Sequence, residues 1–267
     1  MLFLKDKKIF MSEILTSKEG KIGYVILNRP DKQNTFNVPF ARKLNDALIA
    51  FDKDDDVRVV IIKANGKHFS VGIELEEFRK GRTHQEYREF IKLMDEHNHT
   101  IANMKKPVIA QVHGYAVANG AGLVFACDFA VALKSAKFGT TAINVGLICL
   151  GPAVPLVRLV GRKKALEMIL TGDILYAEEA LQLGLINRVV EDDKLEEATL
   201  ELANKLASKS PHALEIGKTG IYRMSDLEYH KAADYMSELF ATLAATEDAL
   251  EGVNAFLEKR PPNFKKK

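Results

Sequence analysis

Two stretches of this chain put small residues where an apolar strand hands over to a helix. Pro107-Val-Ile-Ala-Gln-Val-His-Gly-Tyr-Ala-Val-Ala-Asn-Gly-Ala-Gly122 runs from strand to turn, and the apolar Leu123-Val-Phe-Ala follows at once. Such a turn leaves backbone N–H groups free at a helix N-terminus, where a developing negative charge can be held. Lys67-His-Phe-Ser-Val-Gly-Ile-Glu-Leu75 repeats the pattern. Two turns of this kind can each aim one N–H at a single oxygen, which is the chemistry of an oxyanion hole. The other reading of the small residues is close packing of a helix on a sheet. A dinucleotide fingerprint is excluded, because Phe125 stands where the third glycine would be. No Gly-Lys-Ser/Thr follows either turn, so a phosphate-binding P-loop is excluded too.

The elements that must carry these turns read as an α/β chain. Ile22–Leu27, Val57–Ile62, Val108–Val112 and Phe129–Leu133 are short apolar runs of the kind found in strands buried on both faces. Leu44, Ala47, Leu48 and Phe51 have helical spacing, and a polar helix with apolar punctuation is expected from about Thr83 to Met104. The alternation predicts a largely parallel sheet with crossover helices. Beyond Pro155 the pattern turns helical, with candidates at Leu156–Val160, Ala165–Leu170 and Ala177–Leu183, and a short strand within Leu185–Val190. Helix is expected from Leu195 through Lys209 and again from Ser225 to Leu257. This divides the chain into a core over 1–195 and a helical annex over 196–267.

Composition narrows the function classes. The 267 residues carry a formal net charge of +2, with basic residues scattered apart from the closing Lys265-Lys266-Lys267, so nucleic-acid binding is not expected. Cys127 and Cys149 lack metal or disulfide spacing. No apolar run is long enough to span a membrane, and the apolar start is too short for a signal peptide, which reads as a cytoplasmic protein. Either Met1 or Met11 could be the true start.

Taken in order, Leu27-Asn-Arg-Pro-Asp-Lys-Gln-Asn, Phe69-Ser-Val-Gly, Lys106-Pro-Val-Ile-Ala, Gly114-Tyr-Ala and Cys127-Asp resemble the enoyl-CoA hydratase/isomerase (crotonase) family. Lys137-Phe-Gly, Leu170-Thr-Gly-Asp, Ala177-Glu-Glu-Ala, Gly184-Leu-Ile and Glu251-Gly-Val-Asn-Ala-Phe-Leu-Glu-Lys-Arg-Pro continue the match to the end of the chain. The resemblance implies a spiral of ββα units with a helical C-terminal trimerisation region, and trimers that pair as hexamers. It implies coenzyme A thioesters as substrates and no permanently bound cofactor. Carried over by motif, the two backbone donors fall on Ile73, after Gly72, and on Asn119, the middle position of the family's glycine triplet. Val71, Gly72 and Gly120 line the same site. Arg29 and Lys32 match the pantetheine and phosphate side, and Phe256 and Lys259 match a C-terminal pair that reaches a neighbour's adenine and 3′-phosphate. The plain alternatives are a solvated charge at each basic residue and a core anchor at Phe256.

The departures from the family carry as much meaning. The two glutamates that activate water and deliver a proton in typical hydratases match Gly122 and Ala142 here, and neither residue can exchange a proton. The aspartate of some isomerases and dehalogenases matches Leu150. Candidate replacements are Glu74, beside the first donor, and His84, His97 or His99 on the polar helix, although exposed histidines are the plainer reading. Cys149 reads as an inert buried thiol. His113 reads as a structural hydrogen-bonding group, and Thr140 and Thr141 could only position water. Asn119 reads equally as a side chain reaching substrate or stabilising its turn. Two readings remain: an enzyme working through an enolate in its oxyanion hole, and a non-catalytic acyl-CoA binder.

Overall fold

The computed structural model describes residues 12–265; the choice between Met1 and Met11 and the last two lysines lie outside the described residues. Strands β1 (Ile14–Glu19) and β2 (Ile22–Leu27) form a hairpin, and α1 (Val38–Lys53) follows. Next come β3 (Val59–Ala64), α2 (His84–Asn103), β4 (Val108–Val112), β5 (Tyr115–Val117), α3 (Asn119–Ala126), β6 (Phe129–Leu133), β7 (Lys137–Gly139) and α4 (Leu150–Thr171). The chain closes with β8 (Ile174–Tyr176), α5 (Ala177–Gln182), β9 (Arg188–Val190) and the helices α6 (Leu195–Ala207), α7 (Pro211–Met224), α8 (Tyr229–Ala244) and α9 (Glu247–Leu257).

The principal sheet runs β1-β2-β3-β4-β6-β9 and is parallel except for the β1–β2 pair. A second, short sheet runs β5-β7-β8. Two isolated parallel bridges, Ser70 to Ala116 and Phe36 to Ile73, extend that second layer toward the start of the chain. Each turn of the spiral therefore makes a long strand, a short segment in the second layer and a helix, as in β4-β5-α3 and β6-β7-α4. This is the crotonase-type α/β fold. Both small-residue turns lie in the second layer, where one circuit of the spiral rests on the next.

Local sequence explains the boundaries. Asn37 caps α1 through its side chain, and Thr83 with Glu86 forms a capping box on α2. The two helices expected at Leu156–Val160 and Ala165–Leu170 lie within α4 on either side of a break at Gly161, whose φ of 75° and ψ of 168° only glycine tolerates. The expected helix over Ser225–Leu257 is instead α8 and α9, because Thr246 caps a fresh start by accepting from Ala249 N–H at 3.2 Å. Leu195, Leu202, Ala203 and Ala207 of α6 pack on Ile22, Tyr24, Val59, Ile61, Ile109 and Val131, so the packing of the sheet continues past residue 195. Among the described residues, no helix is long and apolar enough to cross a membrane.

The C-terminal helices are tied to the sheet by a buried ion pair. Lys218 Nζ on α7 donates to Asp128 Oδ2 at 2.7 Å and to Lys106 O at 3.0 Å. Asp128 also accepts from Val108 N–H at 2.8 Å and Tyr222 O–H at 3.1 Å.

Candidate active site

The site begins with Asn34, fully buried in a left-handed conformation (φ 55°). Its Oδ1 accepts from Arg29 N–H at 2.7 Å, and its Nδ2 donates to Asn65 O and His68 O at 2.9 Å. Its carbonyl accepts from Ser70 O–H at 2.7 Å. One side chain therefore fixes the turn after β2, the turn after β3 and the segment leading to Gly72. Asparagine suits the position because it tolerates positive φ and offers both donors and an acceptor.

The two candidate donors meet at close quarters. A Cβ added to Gly72 (φ 99°) would lie 2.6 Å from Ala118 Cβ and 3.3 Å from Asn119 N, so the turns carrying Ile73 and Asn119 touch. A Cβ on Gly120 would fall 2.2 Å from Ser70 O. Phe36 N–H donates to Gly72 O at 2.8 Å and Glu74 N–H to Phe36 O at 2.9 Å, so the bridge brackets Ile73 without using its N–H. Asn119 is the first residue of α3, and a helix leaves its first N–H groups unpaired. Among the described residues, neither N–H has an acceptor. The unusual backbone angle of this turn falls on Ala118, at φ 50° and ψ −124°. Asn119 itself is helical, and the turn that aims its N–H is held by Ala118 N–H donating to Gly139 O at 2.8 Å. A non-glycine residue in that region is strained, and such strain gathers at functional sites.

The Asn119 side chain ties its turn to α2. Its Nδ2 donates across to Asp95 Oδ1 on α2 at 2.9 Å, with a longer contact to Met94 O at 3.4 Å. Burial pushes the Asp95 carboxyl up to about 6, against the opposing effects of the Asn119 hydrogen bond and nearby His99. Asp95 was not among the residues singled out from sequence. The signal was present: Phe90, Met94, His97 and Ile101 form the buried stripe of α2, and Asp95 and Asn98 flank it at helical spacing.

The remaining candidates divide cleanly. Glu74 is held by Arg29 Nη2 at 2.9 Å, with Lys32 Nζ at 3.9 Å. Arg29 also donates to Thr35 O at 2.6 Å, so its guanidinium is held within the scaffold. Lys32 stays half exposed. Val71 is half-buried and its N–H donates to Gln33 O at 3.3 Å. Phe256 is 82% exposed and Lys259 stands beyond the end of α9 at φ 55°. His84 and His99 are exposed, and His113 Nε2 bonds Gly66 O at 2.8 Å. Cys149 is buried, and burial pushes its thiol up. Thr140 is buried with no partner for Oγ1 among the described residues, while Thr141 is half-buried. Leu150 is exposed at the start of α4.

His97 corrects the expectation of an exposed helical histidine. It is buried against Phe36, and burial holds its imidazole neutral, down at about 4. Its position between Met94 and Ile101 on the apolar stripe removes it from water and from any role as a base.

His97 and Asp95 give opposed pH dependences. Unfolded His97 takes up a proton near 6.5, which the folded residue refuses until about 4. Its stabilising contribution is therefore full above 6.5 and lost as pH falls to 4. Asp95 keeps its proton to about 6 when folded but only to 3.8 when unfolded, so its contribution is present below 3.8 and lost as pH rises through 6. Each is worth at most about 3 kcal/mol. Asp95→Asn, which removes one arm, is expected to lose stability more steeply than the unaltered protein as pH falls from 6.5 to 4. Thermal unfolding across that range measures it, and equal slopes contradict it.

The comparisons with known proteins bear directly on this geometry. The sequence model of the family described as "Enoyl-CoA hydratase/isomerase" matches residues 17–267. The chain belongs to that family. It is an enzyme of the hydratase/isomerase class, and acyl-CoA thioesters are the substrates of that class. A "Probable enoyl-CoA hydratase" of Rhizobium meliloti is 37% identical over 253 residues, covering 94% of this chain and 97% of the relative. A "Crotonyl-CoA hydratase" of Syntrophomonas wolfei is 34% identical, again covering 94% of this chain and 97% of the relative. The crystal structure of human enoyl Coenzyme A hydratase domain-containing protein 3 superposes with a TM-score of 0.91 at 35% identity, covering 94% of this chain and all of that one. Gly122 lies on α3 and Ala142 in a 3-10 turn before α4. A Cβ on Gly122 would meet Pro152 Cγ at 2.8 Å and Cα at 3.2 Å, so α4 fills the space a side chain there would need.

Proposed function

We propose that this enzyme binds an acyl-CoA thioester with its carbonyl oxygen between the Ile73 and Asn119 N–H groups. It then works through the enolate they stabilise, not through two-carboxylate hydration. The observation that carries the reading is the pair of unpaired N–H groups brought together across Gly72 and Ala118, with glycine and alanine where the family's glutamates would stand. Each donor contributes roughly 10²–10³-fold to such a reaction. Isomerisation, decarboxylation, and thioester or C–C hydrolysis all pass through this charge. Decarboxylation asks least of side chains, because loss of CO₂ itself generates the enolate.

The half-exposed Lys32 is the phosphate contact in this reading, with Arg29 and Glu74 holding its turn. Phe256 and Lys259 face away from their own core and serve coenzyme A bound by a neighbouring copy. The exposed apolar side chains of Tyr229, Phe240, Leu250 and Val253 support a helical C-terminal oligomerisation region, packed as a trimer or a pair of trimers. The free thiols Cys127 and Cys149 suit a reducing compartment such as the cytoplasm. Sedimentation of a monomer would contradict the assembly.

Incubation with crotonyl-CoA, a dienoyl-CoA, methylmalonyl-CoA and a β-keto-CoA, followed by mass spectrometry, tests the reaction class. Turnover of a thioester other than by hydration is expected; rapid hydration of crotonyl-CoA contradicts the reading, and thioester binding without any turnover favours the non-catalytic binder. Adding the family's carboxylates back is expected to fail. Gly122→Glu with Ala142→Glu drives a side chain into Pro152, which costs about 1–3 kcal/mol, and leaves crotonyl-CoA hydration at background. Thermal melting and a hydration assay on the double variant measure both effects.

A further inference from the structure

Asp95 lies in the space between the second candidate donor and the start of α4. Its Oδ1 is held by Asn119 Nδ2 at 2.9 Å, whereas Oδ2 has no partner among the described residues. An asparagine Nδ2 stands no more than about 5 Å from its own backbone nitrogen, so the carboxyl oxygen lies within about 8 Å of the N–H that would hold the thioester oxygen. Gly151 makes the room for it. A Cβ there would fall 2.1 Å from Oδ1 and 2.3 Å from Oδ2, so any other residue would expel the carboxyl. Asn98 turns toward the same glycine, donating to Gly151 O at 3.4 Å, and its own Oδ1 is buried without a partner. Cys149 Sγ accepts from the Ala142 backbone N–H and lies within the field of Asp95, which ties the carboxyl to the loop carrying Ala142.

We propose that Asp95 is the group that carries the α-proton of the bound thioester, taking over from α2 the role for which Gly122 and Ala142 have no side chain. This rests on the oxyanion reading given above. In the forward step Asp95 carboxylate takes the proton from the α-carbon. The C–H electron pair becomes the double bond to the carbonyl carbon, and the carbonyl electrons move to the oxygen held by Ile73 and Asn119 N–H. In the return step the neutral acid gives that proton back to the α-carbon, or to the γ-carbon of a conjugated enolate. The carbonyl then re-forms and the carboxylate is regenerated. One carboxylate suffices for this exchange, whereas hydration also needs a group to activate water. Burial, which lifts this carboxyl toward neutral pH, suits a group that must both take and give a proton.

The test is α-proton exchange of butyryl-CoA in deuterated water, followed by mass spectrometry, with butyryl-CoA affinity measured by calorimetry on the same samples. Asp95→Asn keeps the hydrogen-bonding shape and is expected to lose exchange at least about 100-fold with affinity within about threefold. The exchange rate of the unaltered enzyme is expected to fall as pH drops below about 6, where Asp95 protonates. The other titratable groups facing Asp95 are His99 on its own helix and Cys149 on the opposite loop, and His99→Gln is expected to keep the inflection. Exchange that persists in Asp95→Asn, an inflection that moves with His99 instead, or no exchange by an unaltered enzyme that binds the thioester would each overturn the assignment. A protein that does not bind the thioester at all overturns the oxyanion reading beneath it.

Discussion

Gly120→Ala is expected to silence the enzyme without unfolding it. The added methyl would stand 2.2 Å from Ser70 O, a backbone atom of the neighbouring turn that cannot swing aside like a flexible side chain. Ser70 is fixed by its own hydrogen bond to Asn34 O at 2.7 Å and by its N–H to Tyr115 O at 3.1 Å. The start of α3 must therefore move, and it carries the Asn119 N–H with it. Overpacking of this kind costs about 2–3 kcal/mol of stability. Loss of one oxyanion donor costs roughly 10²–10³-fold in kcat. Circular dichroism should report a folded protein with a lowered melting point, and steady-state kinetics should show the fall in kcat. A variant with unaltered kcat would mean that the two turns need not touch for chemistry.

Lys218→Met is expected to have the largest effect on stability. The Lys218–Asp128 pair is buried on both sides, and Asp128 lies between β4, through Val108 N–H, and α7, through Lys218 and Tyr222. Removing the cation leaves a carboxylate in the core with only neutral donors. Breaking a buried pair in this way costs about 3–5 kcal/mol, whereas the intact pair is worth far less against an apolar substitute. Lys218→Met combined with Asp128→Asn should therefore recover part of the loss, because the stranded charge is gone. Chemical denaturation of the two single variants and the double variant gives the coupling. Additive losses would show that the pair does not act as a unit.

Much of the fold could be read because it is written in long, regular runs. Val108–Val112 and Phe129–Leu133 are apolar enough to mark buried parallel strands, and the helix starts after Asn37 and Thr83 carry capping residues. The second sheet could not be read this way. β5, β7 and β8 are three residues each, too short for any periodicity, and they exist because neighbouring circuits of the spiral hold them in register. The two small-residue turns were legible as places where a strand hands over to a helix, yet the contact that brings residues 70–73 against 118–120 is set by the spiral and not by local sequence. Ala118 illustrates the limit. Its strained angles look like glycine's, but its residue type gives no hint of them.

Histidine and aspartate on α2 show the same limit for the site. His97 and Asp95 stand two residues apart, and sequence offers both as solvated polar groups. The helix turns one into the core against Phe36 and the other toward Asn119, so that burial makes the histidine inert and raises the carboxyl toward neutral pH. Asn34 stood in the sequence only as the end of a family motif and Asn119 as a turn residue, whereas Asn34 Nδ2 reaches carbonyls 31 and 34 positions away and Asn119 Nδ2 a carboxylate 24 positions away. Arg29 is the converse case, a basic residue that points to phosphate in the sequence and is spent on Glu74 and Thr35 in the fold.

The central claim is that Ile73 and Asn119 N–H groups hold the thioester oxygen. Difference infrared spectroscopy of an acyl-CoA carrying ¹³C at the thioester carbonyl tests it without requiring turnover. Polarisation by two backbone donors should move the bound carbonyl stretch to lower frequency than in water, and Gly120→Ala should return it toward the free value. A bound thioester whose carbonyl band stays at its solution position would contradict the account.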